Sequence, residues 1–272
     1  MGQIEPYKGI ARIYEEIRPS YPDQLILDII SGTKLKTNHI LLEIGAGTGK
    51  ATLPFADKGF QIHAVEIGAE MAEILREKCA AYSKVTIEIS SFEEWNGRDD
   101  LKYDMIYSAQ AFHWIDKNIK YNKCYDLLKE DGYLTLFWYQ PTGRRSRERM
   151  ELEEQVDRIV KHYITEYSTN YEKPSRIAHT GVSDKEARRK ELEESGLFRI
   201  LHEKEYTYEV VNSPEQYLKA MKSVPAYTSL LDGLEPEVVM KLDQEIQELI
   251  IKHGGCVKEE FDYSLYIAQK FN

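Results

Sequence analysis

The chain has 272 residues, of which 42% are apolar, and it carries a formal net charge of −10. That length supports one substantial core, while the acidic balance disfavours nonspecific binding to phosphate backbones and so argues against a nucleic-acid partner. No apolar run approaches 18 residues, the start MGQIEPYKG lacks the zones of a signal peptide, and Cys79, Cys124 and Cys256 are far apart without C-x-x-C spacing, so we expect a soluble, cytoplasmic protein with free thiols, no metal site and no membrane contact.

In chain order, YEEIRPSYP (Tyr14 to Pro22) places two prolines ahead of a helical pattern near 23–31. Arg18 offers a planar fork of donors suited to a carboxylate, although a structural ion pair would use it equally well. HILLEIGAGTGK (His39 to Lys50) joins a buried strand near 40–45 to a glycine-rich turn. Ile40, Leu41, Leu42 and Ile44 form the apolar run of a strand covered on both faces. Glu43 breaks it and has to be buried unless its carboxylate faces a ligand or turn amides. Gly45, Gly47 and Gly49, with Ala46 between the first two, allow the backbone a sharp turn and a close approach to a ligand. A Walker phosphate loop would need glycine at Ile44 and Ser or Thr at Ala51, and a dinucleotide fingerprint would need its third glycine at Lys50. Both fail, and the pattern E-x-G-x-G-x-G remains.

A helix near 49–58 leads to the strand QIHAVEI (61–67), which ends at Glu66, about 20 residues past the first glycine, where a doubly wound sheet places the acid that grips a ribose diol. A helix near 68–81 carries Met71. The strand VTIEIS (85–90) runs into SFEEW, with Ser91 and Phe92, and a strand near 103–109 runs through Ser108, Ala109 and Gln110 into AFHW, with His113 and Trp114. A helix near 117–129, a break at Asp131-Gly132 and a fifth strand near 132–139 follow. Beyond residue 145 the composition turns to charged, helix-favouring stretches with Leu152, Val156, Ile159, Val160 and Tyr163 at helical spacing. Phe198 to Val211 returns to strand, Ser213-Pro214-Glu215-Gln216 starts a helix with a capping box, and a helix near 236–253 stops at Gly254-Gly255. A final strand near 261–270 should lie beside 198–211.

The residues Glu43 to Gly49 resemble motif I of the class I S-adenosylmethionine-dependent methyltransferases. A-F-H-W after the fourth strand and R-P-x-Y-P before the first helix are similar to a small-molecule branch that includes trans-aconitate methyltransferase-like and quinone methyltransferase-like proteins. The resemblance implies an α/β, Rossmann-like doubly wound sheet of seven strands, the last antiparallel, with a helical cap inserted after the fifth strand. It assigns 1–142 to an S-adenosylmethionine-binding core, 143–196 and 213–254 to cap insertions, and 197–212 and 255–272 to the final strands of the sheet. The implied cofactor is S-adenosylmethionine, held by Tyr14, Arg18, Glu43, Gly45, Ala46, Gly47, Gly49 and Glu66. Ile67, Met71, Ser91 and Phe92 would lie by the adenine, the backbone of Ser108 or Ala109 by the methionine ammonium, and Gln110 over the same crevice.

A methyl on a sulfonium is already a good electrophile, so such a protein mainly positions the nucleophile and excludes water. A base helps an amine or hydroxyl acceptor but not a carboxylate; His113 is the candidate, with Tyr14 as a second catalytic residue and a structural hydrogen-bonding role as the alternative for His113. Trp114, Tyr139, Arg144 and Tyr227, the last placed in a cap loop, are candidate substrate contacts together with His113. The expected activity is in-line methyl transfer to a small molecule, a carboxylic acid being one fitting class. Methylation of a protein or RNA, and binding of the cofactor without transfer, are the alternatives. The acceptor and the oligomeric state are not specified by the sequence.

Overall fold

The computed structural model describes residues 9–98, 101–167 and 185–271, so residues 168–184 of the first expected insertion lie outside the described residues. The strands are β1 (Ile40–Ile44), β2 (Gln61–Glu66), β3 (Val85–Ile89), β4 (Tyr103–Ala109), β5 (Leu128–Pro141), β6 (Phe198–Asn212) and β7 (Val257–Lys270). The helices are α1 (Ala11–Ile17), α2 (Asp23–Gly32), α3 (Thr52–Ala56), α4 (Ala69–Lys78), α5 (Lys117–Leu127), α6 (Arg147–Tyr167), α7 (Lys185–Glu194), α8 (Pro214–Lys222), α9 (Pro225–Leu231) and α10 (Pro236–Lys252). One seven-stranded sheet has the order β3-β2-β1-β4-β5-β7-β6. Strands β1 to β5 pair in parallel, and β7 runs antiparallel to both β5 and β6. This is the Rossmann-like α/β architecture with an antiparallel last strand. The strand order reverses between β1 and β4, and ligands of open α/β sheets bind in the crevice at such a switch point.

Alternation along the strands explains why both faces are covered. Leu42, Ile44, Ile106, Leu134 and Leu136 pack with Tyr121 and Cys124 of α5 and Leu192 of α7. Their strand neighbours Leu41, Met105, Tyr107 and Phe137 pack with Leu25, Ile26 and Ile29 of α2 and Phe55 of α3. Each fully buried Leu, Ile or Phe contributes about 1.5–3 kcal/mol before its ordering entropy is counted. A third cluster joins Leu152, Val156, Val160 and Ile164 of α6 to Leu242, Ile246 and Ile250 of α10, both sets at four-residue spacing. Although the sequence groups α7 with those helices, Leu192 docks it on the sheet.

Local signals act largely as expected. Ser213 and Gln216 form the capping box of α8, and Gly254 and Gly255, at φ +102° and +77°, end α10. Two of the boundaries that differ have a local cause. Helix α3 begins at Thr52 rather than 49, because Gly49 adopts φ +87° and spends its N–H on the Ala46 carbonyl at 3.0 Å. Strand β5 begins at Leu128: its pairing with β4 jumps from Tyr103–Leu128 to Met105–Tyr133, so the Asp131-Gly132 turn signal produces an irregularity within the strand.

Candidate active site

The loop after β1 holds Gly45, Gly47 and Gly49 at φ +69°, +57° and +87°, conformations that L side chains resist. A Cβ at Gly45 would overlap that of Ala111, and one at Gly49 would lie 2.5 Å from Leu75 Cδ1. At Gly47 nothing lies within 4 Å, so the glycine there serves the backbone conformation rather than protein packing. The Gly47 N–H donates to Glu66 Oε2 at 2.7 Å, and the Gly68 N–H donates to Glu66 Oε1 at 2.8 Å. Glu66, 7% exposed, thus ties the end of β2 to the glycine loop.

Glu43 is 1% exposed and stands opposite Tyr107 in the β1–β4 register. Its Oε2 accepts from Thr52 Oγ1 at 2.6 Å and from the Tyr107 hydroxyl at 2.9 Å. Its buried Oε1 has no hydrogen-bond partner among the described residues. Burial pushes the Glu43 carboxyl up to about 8; the two hydroxyls pull it down, and the nearby Glu66 charge raises it further. The turn amides that the sequence offers to this acid go instead to Glu66, while Glu43 takes side-chain hydroxyls.

Tyr14, Tyr21, Glu43, Gly45, Ala46, Gly47, Thr48, Lys50, Ala51, Ala109 and Tyr139 surround one small cavity at this crevice. Helix α1 brings Tyr14 there through Glu15. The Glu15 carboxylate accepts from Lys78 Nζ at 2.6 Å and from Thr48 Oγ1, and its main-chain carbonyl accepts from Lys50 Nζ at 2.7 Å. Arg18 ends α1 with its guanidinium 5.4 Å from the Tyr14 ring centroid; it is exposed and is not among the residues lining this cavity.

The end of β4 is fixed by Ser108, whose Oγ donates to the Ile44 carbonyl at 2.8 Å. Gln110 takes φ +64°, donating its N–H to the Phe137 carbonyl at 3.2 Å and its Nε2 to the Tyr139 carbonyl at 2.7 Å. Ser108, Gln110 and His113 line a second small cavity between the sheet and the helices α5 and α7. His113 is exposed in a 3-10 turn, Phe112–Trp114, with its ring centroid 5.0 Å from that of Trp114.

Several other expected contacts line neither cavity. Met71 is buried with Ala11 and Ile74, and Tyr14 packs against them; Ile67 is half-buried beside them in sequence. Ser91 Oγ accepts from the Glu94 N–H at 3.2 Å, and Phe92 stacks in the core with its centroid 6.5 Å from that of Trp95. Trp114 is 60% exposed and lines neither cavity. Arg144, offered as a substrate contact, is engaged by Glu260 at 3.1 Å and Asp262 at 3.3 Å, because the carboxylates of β7 lie next to the end of β5. Tyr227 is in helix α9, not a loop, and it is buried among Leu218, Leu234 and Leu242, because the apolar faces of α8 and α10 close around it. Sequence reasoning missed Thr52 and Tyr107 as the partners of Glu43, and Glu15 and Lys50 as the links from α1 to the loop. Alternation along β4 places Tyr107 on the same face as Met105 and Ala109, a usable signal; no sequence feature pairs Glu15 with Thr48.

Comparison with known proteins adds a family signal to this geometry. Residues 41–132 match the family model described as a methyltransferase domain. An uncharacterized methyltransferase-like protein of Schizosaccharomyces pombe is 32% identical over 141 residues, which cover 50% of this chain and 52% of that one. The chain thus spans about half the length of the curated relatives it matches. Among solved structures, a proposed type II methyltransferase from Anaeromyxobacter dehalogenans superposes with TM-score 0.58 at 19% identity, covering 93% of this chain and 97% of that one. A Haemonchus contortus phosphoethanolamine N-methyltransferase in complex with phosphomonomethylethanolamine and S-adenosylhomocysteine has TM-score 0.51 at 15% identity, covering 97% and 57%. At those identities the two structures establish the shared fold.

Proposed function

We propose that this protein is an S-adenosylmethionine-dependent methyltransferase acting on a small molecule. The observation that carries the proposal is the glycine loop tied to Glu66 beside a cavity at which buried Glu43 keeps one carboxyl oxygen unpartnered among the described residues, with Glu43, the loop and Glu66 inside the segment matched by the methyltransferase-domain model. A buried acceptor at that position suits a cationic amino group, and an acid at the end of β2 suits a diol, so the residues present fit the cofactor.

When bound, S-adenosylmethionine supplies a methyl group on a sulfonium, an electrophile that needs little further activation. In this reading Glu43 Oε1 and the backbone at Ser108 and Ala109 hold the amino group, and Glu66 holds the ribose hydroxyls. Tyr14 and Arg18 close over the amino-acid end. Ile67, Met71, Ser91 and Phe92 form the adenine side, with Gln110 above the crevice. His113, on the rim of the second cavity, takes a proton from an amine or hydroxyl acceptor; a carboxylate acceptor needs no such step. The cluster formed by α6, α8, α9 and α10 acts as a cap that limits the site to small acceptors. Three free cysteines fit a reducing, cytosolic setting.

Calorimetric titration with S-adenosylhomocysteine, compared with NADH, tests the proposal. Micromolar affinity for the former alone is expected. Absence of binding, or binding of NADH alone, would refute the cofactor assignment.

A further inference from the structure

We infer, resting on the S-adenosylmethionine reading, that the Tyr21 hydroxyl donates a hydrogen bond to the carboxylate at the methionine end of the cofactor, a contact that the resemblance does not assign to it.

Tyr21 lies in the connection between α1 and α2, two residues after Pro19 and directly before Pro22. A residue before proline is restricted to extended backbone, so this segment is stiff before any tertiary contact forms. Packing then fixes the ring. Its centroid lies 4.8 Å from that of Phe137 in an edge-on arrangement, 5.8 Å from that of Tyr139 and 6.2 Å from that of Tyr263. The Tyr263 hydroxyl donates to the Ser20 carbonyl at 3.2 Å and so pins the preceding residue as well. Tyr21 ends 8% exposed, in the lining of the cavity that also holds Glu43, Gly45 and Ala109.

A phenol buried to this degree usually finds a hydrogen-bond partner. Its neighbours in the same cluster do: Tyr107 donates to Glu43 at 2.9 Å, and Tyr206 donates to Asp28 at 2.6 Å. Among the described residues the Tyr21 hydroxyl has no such partner, yet it is not sealed in the interior as the Tyr227 hydroxyl is. The cavity is the place left for its hydrogen bond. Packing does not account for the hydroxyl, since phenylalanine would make the same ring contacts. Burial, followed by Tyr139, Tyr14 and Glu43 nearby, pushes this phenol well up, so it keeps its proton and acts as a donor.

Other donors around the cavity are committed within the protein. The Gly45 and Ala46 amides donate to the Val65 carbonyl at 2.8 and 3.3 Å, the Gly47 amide to Glu66 and the Gly49 amide to the Ala46 carbonyl. The Thr48 hydroxyl and the Lys50 ammonium both donate to Glu15. Arg18, the donor that the sequence offers to a carboxylate, is exposed and outside the lining. A carboxylate taken out of water needs a protein donor in its place, and Tyr21 supplies one. Glu43 Oε1, in the same lining, suits an ammonium, so the two side chains read the opposite charges of an amino acid.

The test is calorimetric titration of the full chain and of Tyr21→Phe with S-adenosylhomocysteine and with its decarboxylated analogue, which keeps the amine and lacks the carboxylate. Tyr21→Phe should bind S-adenosylhomocysteine at least about fivefold more weakly and bind the analogue within about twofold of wild type. Its midpoint in urea should not fall, because no protein hydrogen bond is lost. A smaller loss on S-adenosylhomocysteine, or an equal loss on both ligands, overturns the contact while leaving the cofactor reading in place. A variant that fails to fold, or whose midpoint drops, would show that the hydroxyl serves the protein and would overturn the contact too. Absence of S-adenosylhomocysteine binding to the wild-type protein refutes the cofactor reading, and the contact falls with it.

Discussion

Replacing Glu43 with Gln should flatten the dependence of stability on pH and make the protein more stable than wild type above neutrality. The folded chain holds this carboxyl at about 8, chiefly through burial, whereas the group in the unfolded chain titrates near its ordinary value of 4.5. Between those values the unfolded state has lost its proton and the folded state has kept it. Stability therefore falls as pH rises, at up to about 1.36 kcal/mol per pH unit, and the fall is complete once pH passes the folded value. Across the whole window the loss is about 5 kcal/mol, comparable with the net stability of a small domain. Gln keeps an oxygen for the Thr52 and Tyr107 hydroxyls and has no proton to lose. Urea unfolding at pH 5, 6, 7 and 8 on both proteins separates this group from every other titration, since only the difference between the two slopes belongs to Glu43. Parallel slopes would refute the reasoning. The same carboxyl gives a binding signature: a cation placed against Oε1 favours the charged form, so S-adenosylhomocysteine should release protons at pH 7. Binding enthalpies that do not vary with buffer protonation enthalpy would count against that contact.

Three other substitutions probe the site. Glu66→Ala should weaken S-adenosylhomocysteine binding by about 1–3 kcal/mol, because the Gly47 and Gly68 amides lose their acceptor as well as the ribose losing its own; wild-type affinity by calorimetry would remove Glu66 from the site. Gly45→Ala combines a strained φ of +69° with overlap on Ala111, and it should cost at least about 2 kcal/mol in denaturant unfolding; an unchanged midpoint would show that the loop relaxes freely. His113→Ala should lower turnover by about 10²-fold or more on an amine or hydroxyl acceptor with little change in S-adenosylhomocysteine affinity, and unchanged turnover would reject its role as a base.

Which features could be read without coordinates follows from the range of the interactions behind them. Strand alternation, the capping box at Ser213 and Gln216, and the glycines after β1 are local, so sheet order and the place of the crevice could be anticipated from residues close in the chain. Even the β2 acid was legible, because a βαβ unit has a nearly constant length and puts Glu66 opposite the loop. Side-chain partnership was not. Glu43 meets Tyr107 across 64 positions, Glu15 meets Thr48 across 33, and Arg188 reaches Trp138 from a helix that the charge pattern alone would place in solvent. The sheet, the loop and the ligand class they suggest were legible in the chain alone, because backbone geometry and hydrophobic periodicity repeat over short distances. That Tyr227 packs among helices, that β7 carboxylates engage Arg144, and that Lys120 and Arg188 line one cleft emerged from the folded packing, because burial and charge pairing depend on which distant surfaces meet.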